Sequence, residues 1–308
     1  MSANIFRWSM LALGWVFGLG LLMWLLRHVD LPALTQPAQL IDPISWLFAT
    51  IIWLLSFVFR AWRVQQEWAW RKRVGLGVAL RLILLHNAAV LLLPFRSGEA
   101  GYPLLVKKVF GARLGMALRS LGWLRVQDAC VLALLGLLLW PGTPPWLMWL
   151  APSALVGLVL LPARWWLHWL RRRAWWAKAL RRVLHRRATR AAWLLALANW
   201  VCKLGVVAML LGQLLPLTFW TGLQAALGGE LASLLPLQGP AGLGTYEAGV
   251  WVGAGLTSAP TQAVAAAALL VHVFCLAVSL GASALAWLLL KWPAEQPAAA
   301  IRENTHHL

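Results

Sequence analysis

The sequence predicts an all-α, polytopic membrane protein with about eight full spans, two broken or re-entrant segments and an inverted-topology repeat. Three observations carry this. Hydrophobic residues make up 61% of the 308 and charged residues only 12%, with a mean hydropathy of +0.73. A soluble domain holds roughly 45–50% apolar and about 25% charged residues. The 27 Lys+Arg against 9 Asp+Glu, a net charge of +18, cluster between apolar runs, as membrane topology requires. Two apolar runs are interrupted by Gly and Pro at related motifs. A soluble enzyme, a disordered chain and a disulfide scaffold are excluded, and no nucleic-acid partner is expected.

The spans follow in order. The first, 8–26, is long for a signal-peptide core and no small-residue cleavage site follows it, so it is expected to remain as a helix. Others are expected at 44–59, 76–94, 115–140, 145–163, 191–215, 219–236 and 262–290. Pro43, Pro141, Pro144, Pro145, Pro216 and Pro260 punctuate the boundaries, as helix breakers do. Many of the 23 Trp fall at span ends, among them Trp46, Trp140, Trp146 and Trp220, where an aromatic belt lies. A single transmembrane domain over 1–292 is expected, with a disordered tail over 293–308.

Loop charge sets the orientation. Residues 60–73 carry Arg60, Arg63, Arg71, Lys72 and Arg73, and 164–190 carry ten Lys/Arg, whereas 141–145 and 216–219 carry none. The basic loops, and with them both termini, are expected in the cytoplasm. Parity then requires the chain to return across the membrane between 95 and 114. It must cross again, in the opposite sense, between 237 and 261. Neither segment is a clean apolar helix, and broken backbone is tolerated only inside protein or along a cavity.

These two segments resemble each other. LLLPFRSGEAGYPLL (91–105) and LLPLQGPAGLGTYEAGV (234–250) each run from Leu-Pro through a Gly-containing turn to Glu-Ala-Gly, at Glu99-Ala100-Gly101 and Glu247-Ala248-Gly249. Equivalent position with opposite parity predicts an inverted repeat, about 44–140 and about 191–290, with a midplane site at its broken helices.

The few acids near spans mark that site. Glu99, Asp128, Glu230 and Glu247 fall within or beside apolar runs. A charge at the bilayer centre costs about 2.5–3.5 kcal/mol, so such groups pair or line a wet cavity. Arg96 with Glu99, and Arg125 with Asp128, stand three apart and share a helix face. Each pair either neutralises itself locally or offers both signs to a headgroup. For Glu247, Lys203 and His272 are the candidate partners. Glu230 follows Gly228-Gly229 and either joins the site or faces the inner surface. Gly242 and Gly244 allow the backbone to bend or approach a ligand closely.

The stretch 164–190 places Trp165, Trp169, Trp176, Leu180 and Leu184 at near-helical spacing among basic residues. It is expected to lie as an amphipathic helix on the inner leaflet, with docking of a protein partner as an alternative use. Cys130, Cys202 and Cys275 are isolated within apolar runs and are expected as buried small hydrophobes. No metal or cofactor is expected.

At these residues the chain resembles the flippase-like membrane domain of lysylphosphatidylglycerol synthases. Pro94, Arg96, Gly98 and Glu99 match a Pro-x-Arg-x-Gly-Glu element, Arg125 and Asp128 an Arg-x-x-Asp element. Ala241-Gly242-Leu243-Gly244-Thr245-Tyr246-Glu247 matches a Gly-Gly-Leu-Gly-x-x-Glu element. Two positions depart from the pattern. Gly101-Tyr102-Pro103 stands where relatives often carry Arg, and His272 stands near another common Arg. The resemblance implies translocation of a phospholipid or polyprenyl-linked lipid between leaflets of the bacterial inner membrane. Without the soluble aminoacyl-transferase domain, lipid aminoacylation is not expected.

Three functions are therefore weighed. A flippase-like lipid translocase would hold an anionic or zwitterionic headgroup, or a polyprenyl phosphate, among Arg96, Glu99, Arg125, Asp128, Gly242, Gly244, Glu247 and His272, with arginine suited to phosphate. No P-loop is present, so direct ATP drive is not expected. A non-catalytic lipid-handling partner of a membrane enzyme, and a polyprenyl-phosphate-dependent glycosyltransferase-like enzyme, are the alternatives. The last lacks any metal-ligand cluster or paired-acid motif in its support.

Overall fold

The computed structural model describes residues 38–139, 142–147, 149–150, 153, 190–234, 240–255 and 261–290, with backbone only at 94–96, 190, 240 and 261. The expected span at 8–26, most of that at 145–163, the basic stretch up to 189 and the tail lie outside the described residues.

Eight helices make up the described structure. They are α1 (Pro43–Trp68), α2 (Leu76–Leu92), α3 (Gly101–Phe110), α4 (Leu114–Leu139), α5 (Arg190–Leu214), α6 (Phe219–Ala232), α7 (Thr245–Gly253) and α8 (Thr261–Leu289). Short 3-10 segments, Pro94–Ala100 and Pro240–Gly242, precede α3 and α7. No strand occurs among the described residues. Four helices, α1, α4, α5 and α8, are long and apolar enough to cross a membrane. At about 1.5 Å per residue, the 17 residues of α2 rise about 26 Å and the 14 of α6 about 21 Å. The expected span at 219–236 is therefore shorter than drawn from sequence, since its helix stops at Ala232.

The molecule is apolar outside as well as inside. On α1, Ile44, Leu47, Phe48, Ile51 and Leu55 form an exposed stripe, with Ile44 at 78%. Exposed apolar surface on this scale suits hydrocarbon and not water. Asp42 caps the N-terminus of this helix. Its carboxylate accepts from the Ser45 amide at 2.9 Å and the Ser45 hydroxyl at 2.6 Å, an N-cap followed by Pro43 at the first helical position.

Helices α2 and α3 form one hairpin. Arg71, in the loop before α2, donates to the carbonyls of Phe110 and Gly111 at 3.0 and 2.7 Å. The end of α3 thus returns to the end at which α2 began. Gly98 packs at the tip, where a Cβ would collide with the backbone of Ala89.

Helices α6 and α7 form a second hairpin, closer still. A Cβ at Gly249 would strike the Gly228 carbonyl, and one at Gly253 the Gln224 carbonyl. Small residues at this spacing let two backbones touch in a membrane. Gln224 also donates to the Leu139 carbonyl at 2.5 Å. The second hairpin therefore opens at the C-terminal end of α4, whereas the first opens at its N-terminal end.

The packing partners correspond between the two halves. α1 meets α5; α2 packs on α8 as α6 packs on α4; α1 touches α8 as α5 touches α4; and the two 3-10 tips touch each other. Polar ties join the halves. Trp53 Nε1 donates to Ser279 Oγ at 2.9 Å, Ser283 Oγ to the Leu84 carbonyl at 2.9 Å, and Gln213 Nε2 to Ser45 Oγ at 2.8 Å.

Candidate functional site

Where the hairpin tips meet the long helices, a cavity of about 370 Å³ opens. Its wall takes Trp53, Phe57 and Arg60 from α1, Asn87 from α2, Arg125 and Asp128 from α4, and Asn199, Trp200 and Lys203 from α5. The remainder comes from Glu230 of α6, Gly242 at the second tip, Tyr246 of α7, and His272, Cys275 and Ser279 of α8. Both halves thus contribute to a wall with both signs of charge.

Each hairpin carries a glutamate that meets a basic group from the next long helix. Arg125 Nη2 donates to Glu99 Oε1 at 2.5 Å, and His272 Nδ1 lies 2.7 Å from Glu247 Oε1. Arg125 stands 26 residues after Glu99, and His272 stands 25 residues after Glu247. His272 thus occupies the place in the second half that arginine occupies in the first. His86, 2% exposed, adds a second basic group 3.8 Å from Glu99 Oε2.

The Glu247 side chain also shapes its own helix. Its Oε2 accepts the Gly244 amide at 2.6 Å, the reach-back of an N3 glutamate onto a helix start. Gly242 and Gly244 sit at φ 83 and 82, and Ala241 at φ 54. These left-handed steps bend the second tip so that Gly242 lies against the His272 ring. Tyr246 packs against that ring at a tilt, 4.3 Å between centroids.

Arg125 and Asp128 form a loose i,i+3 ion pair at 3.9 Å, and neither is the other's nearest partner. Asp128 instead receives Arg63 Nη1 at 2.6 Å and Trp200 Nε1 at 3.4 Å. Arg63 is 3% exposed and also donates to Gln127 Oε1 and to the Leu124 carbonyl at 2.7 Å. The fork of a guanidinium can satisfy all three acceptors at once. Glu99 receives Arg125; the Arg96 side chain, and with it the expected Arg96–Glu99 pair, lies outside the described residues.

The basic stretch 60–73 is accordingly divided. Helix α1 runs to Trp68, so Arg60 and Arg63 lie on the helix and only Arg71, Lys72 and Arg73 lie in the loop. Glu67, which the sequence reading passed over, is buried and accepts the Ser120 hydroxyl at 2.5 Å. The available signal was the spacing Arg60, Arg63, Glu67, which falls on one helix face.

Lys203 pairs with Glu230 at 3.8 Å, not with Glu247, and lies over the rings of Trp53 and Trp200 at 4.8 and 5.4 Å. Glu230 is buried at the cavity wall, which overturns the reading that it faces the inner surface. Cys130 is exposed and Cys202 half-buried, so only Cys275 is the buried small hydrophobe expected of all three. No metal-binding cluster occurs among the described residues.

Span-length apolar helices around a charged cavity define a polytopic α-helical membrane protein. The chain belongs to the family described as the lysylphosphatidylglycerol synthase TM region, whose pattern matches residues 11–290. Neither the curated proteins nor the solved structures contain a significant match.

Proposed function

We propose that this protein is a flippase-like lipid translocase of the bacterial inner membrane, with both termini in the cytoplasm. The carrying observation is the cavity of about 370 Å³ with both signs of charge, walled by both halves of the chain. A lipid crossing between leaflets must bring its polar headgroup through hydrocarbon, and a fixed charged cavity replaces the water it leaves. The acyl tails stay in the bilayer. The two hairpins, opening at opposite ends of α4 and meeting at their tips, support an inverted repeat with its site near the midplane. The equivalent pairs Glu99–Arg125 and Glu247–His272 hold those tips, and motion of one half against the other would open the cavity to each leaflet in turn.

The test is the lipid the protein retains, read by native mass spectrometry after gentle extraction. We expect one phosphate-bearing lipid above its bulk proportion, lost from Arg125→Ala and from Glu247→Gln while both remain monodisperse. Retention of bulk lipid in bulk proportions by the wild type would contradict the proposal.

One observation favours a second reading, an enzyme acting on a lipid-linked substrate. His272 is oriented by a carboxylate and lines the cavity, an arrangement that serves acid–base chemistry. A chemically altered lipid formed on incubation with the purified protein would select that reading. A lipid-handling role alongside a partner protein, docked through 164–190, would instead show as co-purification that is lost when this stretch is neutralised.

A further inference from the structure

The arginine, lysine, histidine and carboxylate groups on the cavity wall are Arg60, Arg125, Asp128, Lys203, Glu230 and His272. Five of them have an opposite partner. Arg125 has Glu99, Asp128 has Arg63, Lys203 and Glu230 have each other, and His272 has Glu247. Arg60 alone in this group has no carboxylate within ion-pair distance among the described residues. Its Nη1 donates to Asn87 Oδ1 at 3.3 Å, and its guanidinium carbon lies 5.8 Å from the centre of the Phe57 ring.

Its position is interior. Eight residues separate Arg60 from Trp68 at the end of α1, about 12 Å along the helix. Arg60 and Arg125 also share with Arg63 a second, smaller void of about 30 Å³ whose lining includes one acid, Asp128. Three guanidiniums therefore converge beside two carboxylates, Asp128 and the Glu99 that holds Arg125, and one positive charge is left over. Asn87, a neutral amide, positions Arg60 without cancelling its charge. Guanidinium charge left uncompensated in a low-dielectric wall is an arrangement completed by an anion.

From this we infer that Arg60 is the anion-binding residue of the cavity and sets the class of headgroup it takes. The ligand is a phosphate group of net negative charge, in preference to a zwitterion. An incoming ammonium meets no unpartnered carboxylate, because Asp128 and Glu230 are already engaged, whereas an incoming phosphate meets a cation with none. Fork geometry lets one guanidinium give two parallel hydrogen bonds to phosphate oxygens. The inference rests on the reading that the cavity receives lipid headgroups.

The test is thermal stability of the detergent-purified full chain, titrated with phosphatidylglycerol, phosphatidylethanolamine or inorganic phosphate. Wild type, Arg60→Gln and Arg60→Lys are compared. We expect phosphatidylglycerol to raise the wild-type Tm at concentrations at least tenfold below those needed for phosphatidylethanolamine. Arg60→Gln should abolish that preference and Arg60→Lys should retain part of it. Without ligand, Arg60→Gln should be at least as stable as wild type, since it removes an uncompensated charge. A purely structural arginine would lose stability.

Lipid preference unchanged in Arg60→Gln, or a wild-type preference for phosphatidylethanolamine, overturns the inference while leaving the translocase reading in place. A response to inorganic phosphate alone, lost in Arg60→Gln, supports the anion site and removes the lipid reading. No response to any of the three ligands overturns both.

Discussion

Arg63 and Asp128 illustrate how a membrane interior tolerates charge. Removing Asp128 leaves the buried Arg63 without a carboxylate, and removing Arg63 leaves the half-buried Asp128 only Arg125 at 3.9 Å, whereas replacing both removes the pair together. Arg63→Met alone should therefore lower unfolding stability by about 3 kcal/mol, and Arg63→Met with Asp128→Leu should recover most of it. Unfolding titrations of the two variants in mixed micelles check this. The motif residues Glu99, Arg125, Asp128, Gly242, Glu247 and His272 could be picked from sequence because acids and broken-helix glycines are conspicuous in apolar runs. Their partners could not. Spacing shows which residues share one helix, and Arg125 with Asp128 satisfies that rule, yet both find nearer partners on other elements. Arg60, Arg63 and Glu67 were hidden for a different reason. Charge near the end of an apolar run reads as loop, and α1 extends past it to Trp68.

The hairpins depend on contacts between backbones. Gly249→Leu should lose folded yield, since its side chain would overlap the Gly228 carbonyl, whereas Gly115→Ala meets nothing within 4 Å and should leave yield unchanged. Size-exclusion profiles of the two variants make the comparison. At the N-terminal end of α1, hydrogen bonding from Ser45 holds the Asp42 carboxyl below the usual carboxylate range. A depressed value means that the N-cap interaction is present above the ordinary carboxylate pKa and lost as pH falls through the lower folded value. Exchange protection of the Ser45 amide should therefore hold at neutral pH and fall only below about pH 4. Leu-Pro, Gly and Glu-Ala-Gly located both breaks from sequence. The exact extent of α6 was not legible, because the first breaker after Ala232 in the sequence is Pro236, whereas the helix stops at Ala232 with Ser233 as its C-cap.

Among the described residues, two halves of matching element order meet around a charged cavity. Composition alone announced the membrane class, since 61% hydrophobic and 12% charged residues cannot cover a water-soluble surface. The cavity was less legible, because its wall is drawn from seven helices and the second tip and no local pattern brings them together. If the halves act as a pair, disabling either glutamate should stop transport. The direct measurement is movement of tail-labelled phosphatidylglycerol across reconstituted vesicles, read by chemical quenching of the outer leaflet. Wild type should exchange lipid well above protein-free vesicles, and Glu99→Gln and Glu247→Gln, reconstituted at equal density, should each fall at least tenfold. Exchange by wild type no faster than in protein-free vesicles, or equal exchange by wild type and both variants, would contradict the account.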